Sequence, residues 1–387
     1  MFEASDFAER TKRMPESGIR EIFDAAQAYD ELYDMSIGEP DFSTPAPIAE
    51  AVEDAIGTGV GSYTQTVGRE ELREALSAKL RDRNGIDADP GSELVVTPGA
   101  MGALFAATQT LCESGDEVLV PAPYWPNYAG HLASAGATLV AVPTTQEDGF
   151  VPTAADVRAA ATEDTVGVLL NTPNNPTGAV VPPRRLREIG DLLVELDLWG
   201  IVDETYEDLV YDGARHHSLA SDPAIFERTV TVHSFSKSYA MTGWRLGYAS
   251  GPAEVVSAMR VVQEHTVSCA AEPSQIAASA ALDHPDIVEE IRTAFADRRE
   301  LVLDRLRDVD GVEPGDPKGA FYVFADVSAV TDSSRELTMR LLEDAHVGSV
   351  PGSVFGAGGE GFLRFSYATD TDTIREAMDR FQRVVES

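Results

Sequence analysis

The sequence predicts an α/β fold: a mainly parallel, mixed sheet in a large domain, followed by a smaller α+β domain. Three observations carry this. Short apolar runs alternate with helical patterns through the middle of the chain; the pattern changes near Pro285; and 387 residues, at roughly 150 per domain, suit two or three domains. The strand candidates are Leu94–Thr97, Glu117–Val120, Thr138–Val142, Val166–Leu170, Gly200–Val202, Thr229–Val232 and Leu246–Ala249. Helical patterns such as Ala103–Cys112 and Arg184–Leu196 lie between them, the arrangement of a parallel sheet covered on both faces. Little room for a helix separates Thr229–Val232 from Leu246–Ala249, so one strand is expected to run antiparallel. Beyond Pro285 come a long charged helix (Ile287–Leu306), a strand (Ala320–Ala325), a helix (Arg335–Asp344), a strand (Gly361–Ser366) and a final helix from Thr371. The expected division is an N-terminal segment (1–45) packed on the small domain, a large domain (46–284) and a small C-terminal domain (285–387). No internal repeat or low-complexity linker interrupts it.

Composition narrows the function. Hydrophobic residues make up 43% and charged residues 25%, ordinary for a globular enzyme. The charge is not ordinary: 30 Lys and Arg against 65 Asp and Glu give −35. Such a surface repels nucleic-acid phosphates and anionic membranes. Lysine occurs only at 12, 79, 237 and 318. Acidic excess with scarce lysine suits molar salt, where the Debye length falls to about 3 Å, so a halophilic setting is expected. Cys112 and Cys269 stand far apart and suggest neither a disulfide framework nor a zinc site. The acidic start lacks an apolar signal core and no run approaches a membrane span, so the expected location is the cytoplasm.

Three motif-like features carry little. Gly356-Ala-Gly-Gly-Glu-Gly361 fits GxGxxG but precedes a strand pattern, so it reads as a turn rather than a dinucleotide loop. Gly57-Thr-Gly-Val-Gly61 follows a helical stretch and breaks the spacing. His216-His217 are adjacent, without convergent metal geometry, and read as a solvated turn.

In parallel sheets ligands bind beyond the carboxyl ends of strands, and here those loops hold the reactive residues. Lys237 follows Thr229-Val-Thr-Val-His-Ser-Phe-Ser, where burial can lower an amine's pKa as a Schiff-base lysine requires. Taken alone, a strand-end lysine is more often a surface charge. Ser234, Ser236 and Arg245 can hold a phosphate beside it, although Arg245 also suits a surface ion pair. Asp203 either caps a turn or pairs with a pyridinium nitrogen. Tyr206 and Asn175 can donate to a phenolic oxygen on that ring, and Trp125 can stack on its face or serve as a core aromatic.

These residues resemble a family. Ser234-Phe-Ser-Lys-Ser-Tyr-Ala-Met-Thr-Gly-Trp-Arg245-Leu-Gly is similar to the lysine signature of fold-type-I, pyridoxal-phosphate-dependent aminotransferases of class I/II. Gly38-Glu-Pro-Asp-Phe, Tyr63-Thr-Gln-Thr-Val-Gly68, Asn174-Asn-Pro-Thr-Gly, Asp203-Glu-Thr-Tyr206 and Arg364-Phe-Ser-Tyr add to it, in order, from about residue 17 onward. Within the family the chain resembles prokaryotic and archaeal aspartate or aromatic aminotransferases. The resemblance implies an amino-group transfer between an L-amino acid and a 2-oxo acid, with glutamate/2-oxoglutarate as one couple, by a ping-pong mechanism on pyridoxal 5′-phosphate. It implies that Lys237 carries the cofactor and moves the proton, that Asp203 pairs with the ring nitrogen, and that Asn175 and Tyr206 bind the phenolic oxygen. Backbone amides of Gly99, Ala100 and Met101 would receive the phosphate with Ser234, Ser236 and Arg245, and Trp125 would stack on the ring. Arg364 would grip the substrate carboxylate, with Asn175 and the Gly38 backbone nearby. Tyr63 would reach the phosphate of the other subunit of a homodimer, and Ser17-Gly-Ile19 would help close the site. Some aspartate-preferring relatives carry Lys where this chain has Met101, so weaker selection for acidic side chains is expected. A pyridoxal-phosphate C–S β-lyase and a non-catalytic cofactor-binding protein are the alternatives on the same scaffold.

Overall fold

The computed structural model describes residues 7–16, 18–29 and 31–387. Twelve strands occur among the described residues. A seven-stranded sheet contains β2 (Leu94–Thr97), β3 (Glu117–Ala122), β4 (Thr138–Pro143), β5 (Thr165–Asn171), β6 (Trp199–Asp203), β7 (Thr229–Ser234) and β8 (Gly247–Ser250), in the order β2-β8-β7-β6-β5-β3-β4. β8 runs antiparallel to both β2 and β7, and the other pairings are parallel. The antiparallel member is therefore the strand that the short connection after β7 predicts. A second, antiparallel sheet orders β11 (Val350–Pro351), β12 (Phe362–Ser366) and β9 (Tyr322–Asp326). The parallel pair β1 (Tyr33–Asp34) and β10 (Val347–Gly348) joins the N-terminal segment to this C-terminal part.

Alternating side chains of the large sheet divide between two apolar layers. Val118, Val120, Ile201, Val230 and Val232 pack with Leu104 and Met259 on one face. Leu119, Val168, Leu170 and Val202 pack with Leu186, Ile189 and Leu193 on the other. The helices supplying those layers are Gly99–Leu111, Ala253–Thr266 and Pro183–Glu195. Each fully buried aliphatic side chain contributes about 1.5–3 kcal/mol, so both faces anchor the strands firmly and their carboxyl ends form a rigid rim. Helix Pro183–Glu195 starts where proline's fixed φ suits the first turn. Helix Thr371–Val385 starts at Asp370, whose carboxylate accepts from the amides of Asp372 and Thr373.

The glycine-rich segment 356–361 is a turn leading into β12, as its sequence context predicts. His216 departs from expectation. Its side chain is 9% exposed and pairs with the Glu204 carboxylate at 2.9 Å, so it is not part of a solvated turn. Adjacency in sequence concealed this because the two rings diverge, and His217 alone is exposed.

Candidate active site

The rim at the carboxyl ends of β5, β6 and β7 encloses a cavity of about 300 Å³. Register places Asn171 beside Asp203 at the ends of adjacent strands. Of the residues predicted from sequence, all but Gly99 and Tyr63 line this cavity: Gly38, Ala100, Met101, Trp125, Asn175, Asp203, Tyr206, Ser234, Ser236, Lys237, Arg245 and Arg364. Ile19 lines it as well, while Ser17 lies outside the described residues. Tyr63 is 89% exposed and stands apart from the cavity.

Lys237 follows β7, and its Nζ donates to the Gly38 carbonyl at 2.6 Å. Burial lowers its pKa to about 8, with Arg245 and Arg364 adding to the effect and Glu39 and Asp203 opposing it. A substantial fraction of the amine is then neutral near pH 8, the form that acts as nucleophile or base. Asp203 lies at the end of β6, buried. Tyr128 Oη donates to its Oδ2 at 2.8 Å, and the Thr205 amide donates to its Oδ1 at 3.0 Å. Burial raises its pKa, and these two donors oppose that rise. A carboxylate held this way gains from a cationic partner entering the cavity.

Arg364, on β12, is 1% exposed. Its Nη1 donates to Asn175 Oδ1 at 2.9 Å and its Nη2 to the Ser36 carbonyl at 2.6 Å. The guanidinium lies 4.4 Å from the Tyr322 ring centroid and 5.0 Å from that of Phe355. No carboxylate pairs with it among the described residues, and its buried Nε has no hydrogen-bond partner. Such a cation is set to receive an anionic group. Tyr206 Oη and Tyr322 Oη are 3.0 Å apart, and burial raises both phenol pKa values, so both remain neutral donors.

A second anion-receptive region lies at the start of helix Gly99–Leu111. Gly99 has φ +71°, and a Cβ there would come within 2.7 Å of Arg245 Nη2. That close approach leaves no room for a side chain at this position. The first-turn amides, the Arg245 guanidinium and the buried Ser234 and Ser236 together form a cradle suited to a phosphate. Trp125 meets Tyr128 edge-on, with centroids 5.4 Å apart, and presents its indole to the cavity.

Met101 bounds another side. Its Sδ contacts His131 Nε2 at 3.4 Å and Asn127 Nδ2 at 3.7 Å. Burial lowers the His131 pKa to about 4, so this wall carries no histidine cation near neutrality.

Sequence reasoning missed Tyr128, Asn171, Thr205 and Tyr322, all of which line the cavity. Asn171 had a visible signal as the last residue of a buried strand. Tyr128 and Tyr322 carry no local signal, because only tertiary packing aims their hydroxyls at Asp203 and Tyr206. Gly38 had a hidden reason too: a Cβ there would fall 2.2 Å from Tyr322 Oη.

Fold and site together define an α/β enzyme built around a buried amine, a buried carboxylate and a buried guanidinium. The family model for class I and II aminotransferases matches residues 30–381. The chain belongs to that family and transfers amino groups. It is 40% identical to aromatic-amino-acid aminotransferase 2 of Thermococcus litoralis, over 98% of each chain, and 41% identical to an aspartate aminotransferase of Pyrococcus abyssi, over 95% of each. Among solved structures, it resembles the Thermus thermophilus aspartate aminotransferase crystallised with maleate, with a TM-score of 0.93 and 39% identity over 98% of this chain and 99% of that one. The aromatic aminotransferase of Pyrococcus horikoshii gives 0.90 and 40%, over 94% and 98%.

Proposed function

We propose that the cavity holds pyridoxal 5′-phosphate and that the chain uses it to move amino groups between L-amino acids and 2-oxo acids, with glutamate/2-oxoglutarate as one couple. The observation that carries this is the convergence of Lys237, Asp203 and Arg364 on one cavity, with the glycine-helix cradle beside them. The donor set fits the cofactor: a neutralisable amine for the aldehyde, a carboxylate for the ring nitrogen, phenol and amide for the phenolic oxygen, and amides, hydroxyls and guanidinium for the phosphate. When bound, pyridoxal phosphate supplies an electron sink for the pair left as the substrate Cα–H bond breaks.

The protein's own residues orient and move protons. Lys237 Nζ, lowered to about 8, takes and returns the α-proton. Asp203, its carboxylate accepting from Tyr128 Oη and the Thr205 amide, would hold the ring nitrogen. Tyr206 and Asn175 would hold the phenolic oxygen, and Trp125 would pack against the ring. Arg364 would bind the α-carboxylate and so orient the substrate at the reacting carbon, which favours transamination. Ile19 packs against Phe324, Val350 and Phe355 and lies over the cavity, in position to exclude water.

The relatives are named for aspartate and for aromatic donors, and the uncharged wall at Met101 supports acceptance of aromatic or aliphatic donors alongside weaker selection for acidic ones. A kcat/KM strongly favouring aspartate over phenylalanine would overturn that preference. Exposed Tyr63 supports a homodimer in which it reaches the partner's phosphate. The chain divides at 45/46 and 284/285 into an N-terminal segment, a large domain and a small domain, and the −35 charge supports a halophilic cytoplasm. No described helix is long and apolar enough to cross a membrane. Borohydride reduction of cofactor-loaded protein followed by peptide mass mapping tests the assignment. The expected product is a pyridoxyl group on Lys237, and a label elsewhere, or none, refutes it.

A further inference from the structure

The turn that brings Asp203 and Tyr206 to the cavity has an opposite face. Glu204 and Glu207, the residues that follow each of them, turn into the protein instead. Glu204 is fully buried, and its Oε2 accepts from Ser218 Oγ at 2.6 Å and pairs with His216 Nε2 at 2.9 Å. Glu207 Oε1 accepts from Lys79 Nζ at 2.5 Å and lies 3.1 Å from His233 Nδ1, while its Oε2 accepts from Asn84 Nδ2 at 2.6 Å. Asn84 joins the halves: its Nδ2 lies 2.8 Å from Ser218 Oγ, and its Oδ1 accepts from Lys79 Nζ at 2.9 Å. The His233 ring stacks on Tyr248 with centroids 4.8 Å apart. Tyr239, Tyr248 and the Arg83–Asp208 pair at 3.5 Å are the remaining titratable neighbours.

Burying such a cluster costs several kcal/mol per ion before pairing offsets it, and apolar packing of the same volume stabilises a fold as well. Fold stability alone therefore does not account for it. Glu204, Glu207 and His216 could ligate a cation by distance, with ligand atoms within 4.8 Å. The Lys79 ammonium, however, already sits on Glu207, so the cluster carries its own cation. Burial disfavours the His216 imidazolium, but the Glu204 carboxylate outweighs it and raises the His216 pKa, which lets the pair neutralise itself. The segments tied together are the end of helix Glu70–Lys79, the turn after it, the 216–218 loop and β7, four directions converging on one five-residue turn.

We propose that Lys79, Glu204, Glu207 and His216 form a positioning device that fixes the depth of Asp203 and Tyr206 and sets a compensated charge behind them. None of the four lines the cavity, so they act through Asp203 and Tyr206. The inference rests on the cavity being a pyridoxal phosphate site.

Glu204→Gln and His216→Gln in the full-length, cofactor-loaded protein test it. Glu204→Gln keeps size and hydrogen bonding but removes the charge, and His216→Gln removes the imidazole that pairs with Glu204. Expected are cooperative melting, a fall in kcat of roughly tenfold, the scale seen when support behind a directly contacting group is lost in metal sites, and little change in donor KM because Arg364 is untouched. The pH midpoint of the bound cofactor's absorbance should also move by roughly half a unit or more. Folded variants with wild-type kcat and midpoint overturn the proposal. Failure of both variants to fold assigns the cluster to stability alone and overturns it too. Wild-type protein that shows no cofactor band would instead refute the reading of the cavity.

Discussion

Tyr128→Phe removes one hydroxyl from the cavity wall and leaves the ring that packs edge-on against Trp125. The hydroxyl donates to Asp203 Oδ2 at 2.8 Å, and both residues are buried, so water does not replace it. A hydrogen bond to a charged group is worth about 1.5–3 kcal/mol. At 1.36 kcal/mol per pKa unit, its loss raises the Asp203 pKa by about one to two units, on top of the rise that burial already imposes. The carboxylate then holds a ring cation less well, and kcat should fall about 10- to 100-fold. Donor KM should change little because Arg364 and Asn175 keep their 2.9 Å contact. Steady-state kinetics at saturating cofactor, beside a thermal melt, provide the assay. A folded variant with wild-type kcat and cofactor affinity would refute the argument that Tyr128 holds Asp203 anionic.

Four further outcomes are expected. Arg364→Lys replaces a fork with a point charge that cannot reach Asn175 Oδ1, the Ser36 carbonyl and a substrate together. It should cost about 10- to 100-fold in kcat/KM for every amino-acid donor, the worth of one charged hydrogen bond, and an equal kcat/KM would contradict the carboxylate role. Lys237 titrates near 8 in the folded chain against an ordinary 10.5, so the unfolded chain binds more protons between those values; cofactor-free protein should gain stability from this group as pH rises from about 8 to 10.5. Capture of pyridoxal phosphate by that protein should speed up about tenfold per pH unit below 8 and level off above it, and a pH-independent rate would exclude a buried neutral lysine. With a charge of −35, melting temperature should rise as KCl approaches 1 M and the Debye length shrinks to about 3 Å; a flat or falling curve would contradict adaptation to salt.

Much of the large sheet was readable because its strands are buried on both faces and appear as apolar runs. The antiparallel β8 was readable from connection length alone. The strands β1, β10 and β11 left no comparable signal, since two-residue strands carry no period. Helix Gly99–Leu111 begins a turn before its apolar pattern, because Gly99 and Ala100 serve the cradle rather than the core. In the site, residues presented by strand ends were legible from local sequence. Tyr128 and Tyr322 were not, because their value lies in hydroxyls aimed across the fold at Asp203 and Tyr206. His216 was misread for the same reason: its partner, Glu204, is supplied by a different segment.

The most direct test is an absorbance spectrum of purified, cofactor-loaded protein in molar KCl, before and after a single amino acid is added without any oxo acid. If Lys237, Asp203 and Arg364 act together as argued, the long-wavelength cofactor band will convert to a shorter-wavelength one, with one 2-oxo acid released per site. A band that persists while pyruvate and ammonia accumulate, or no cofactor band at all, would contradict the account.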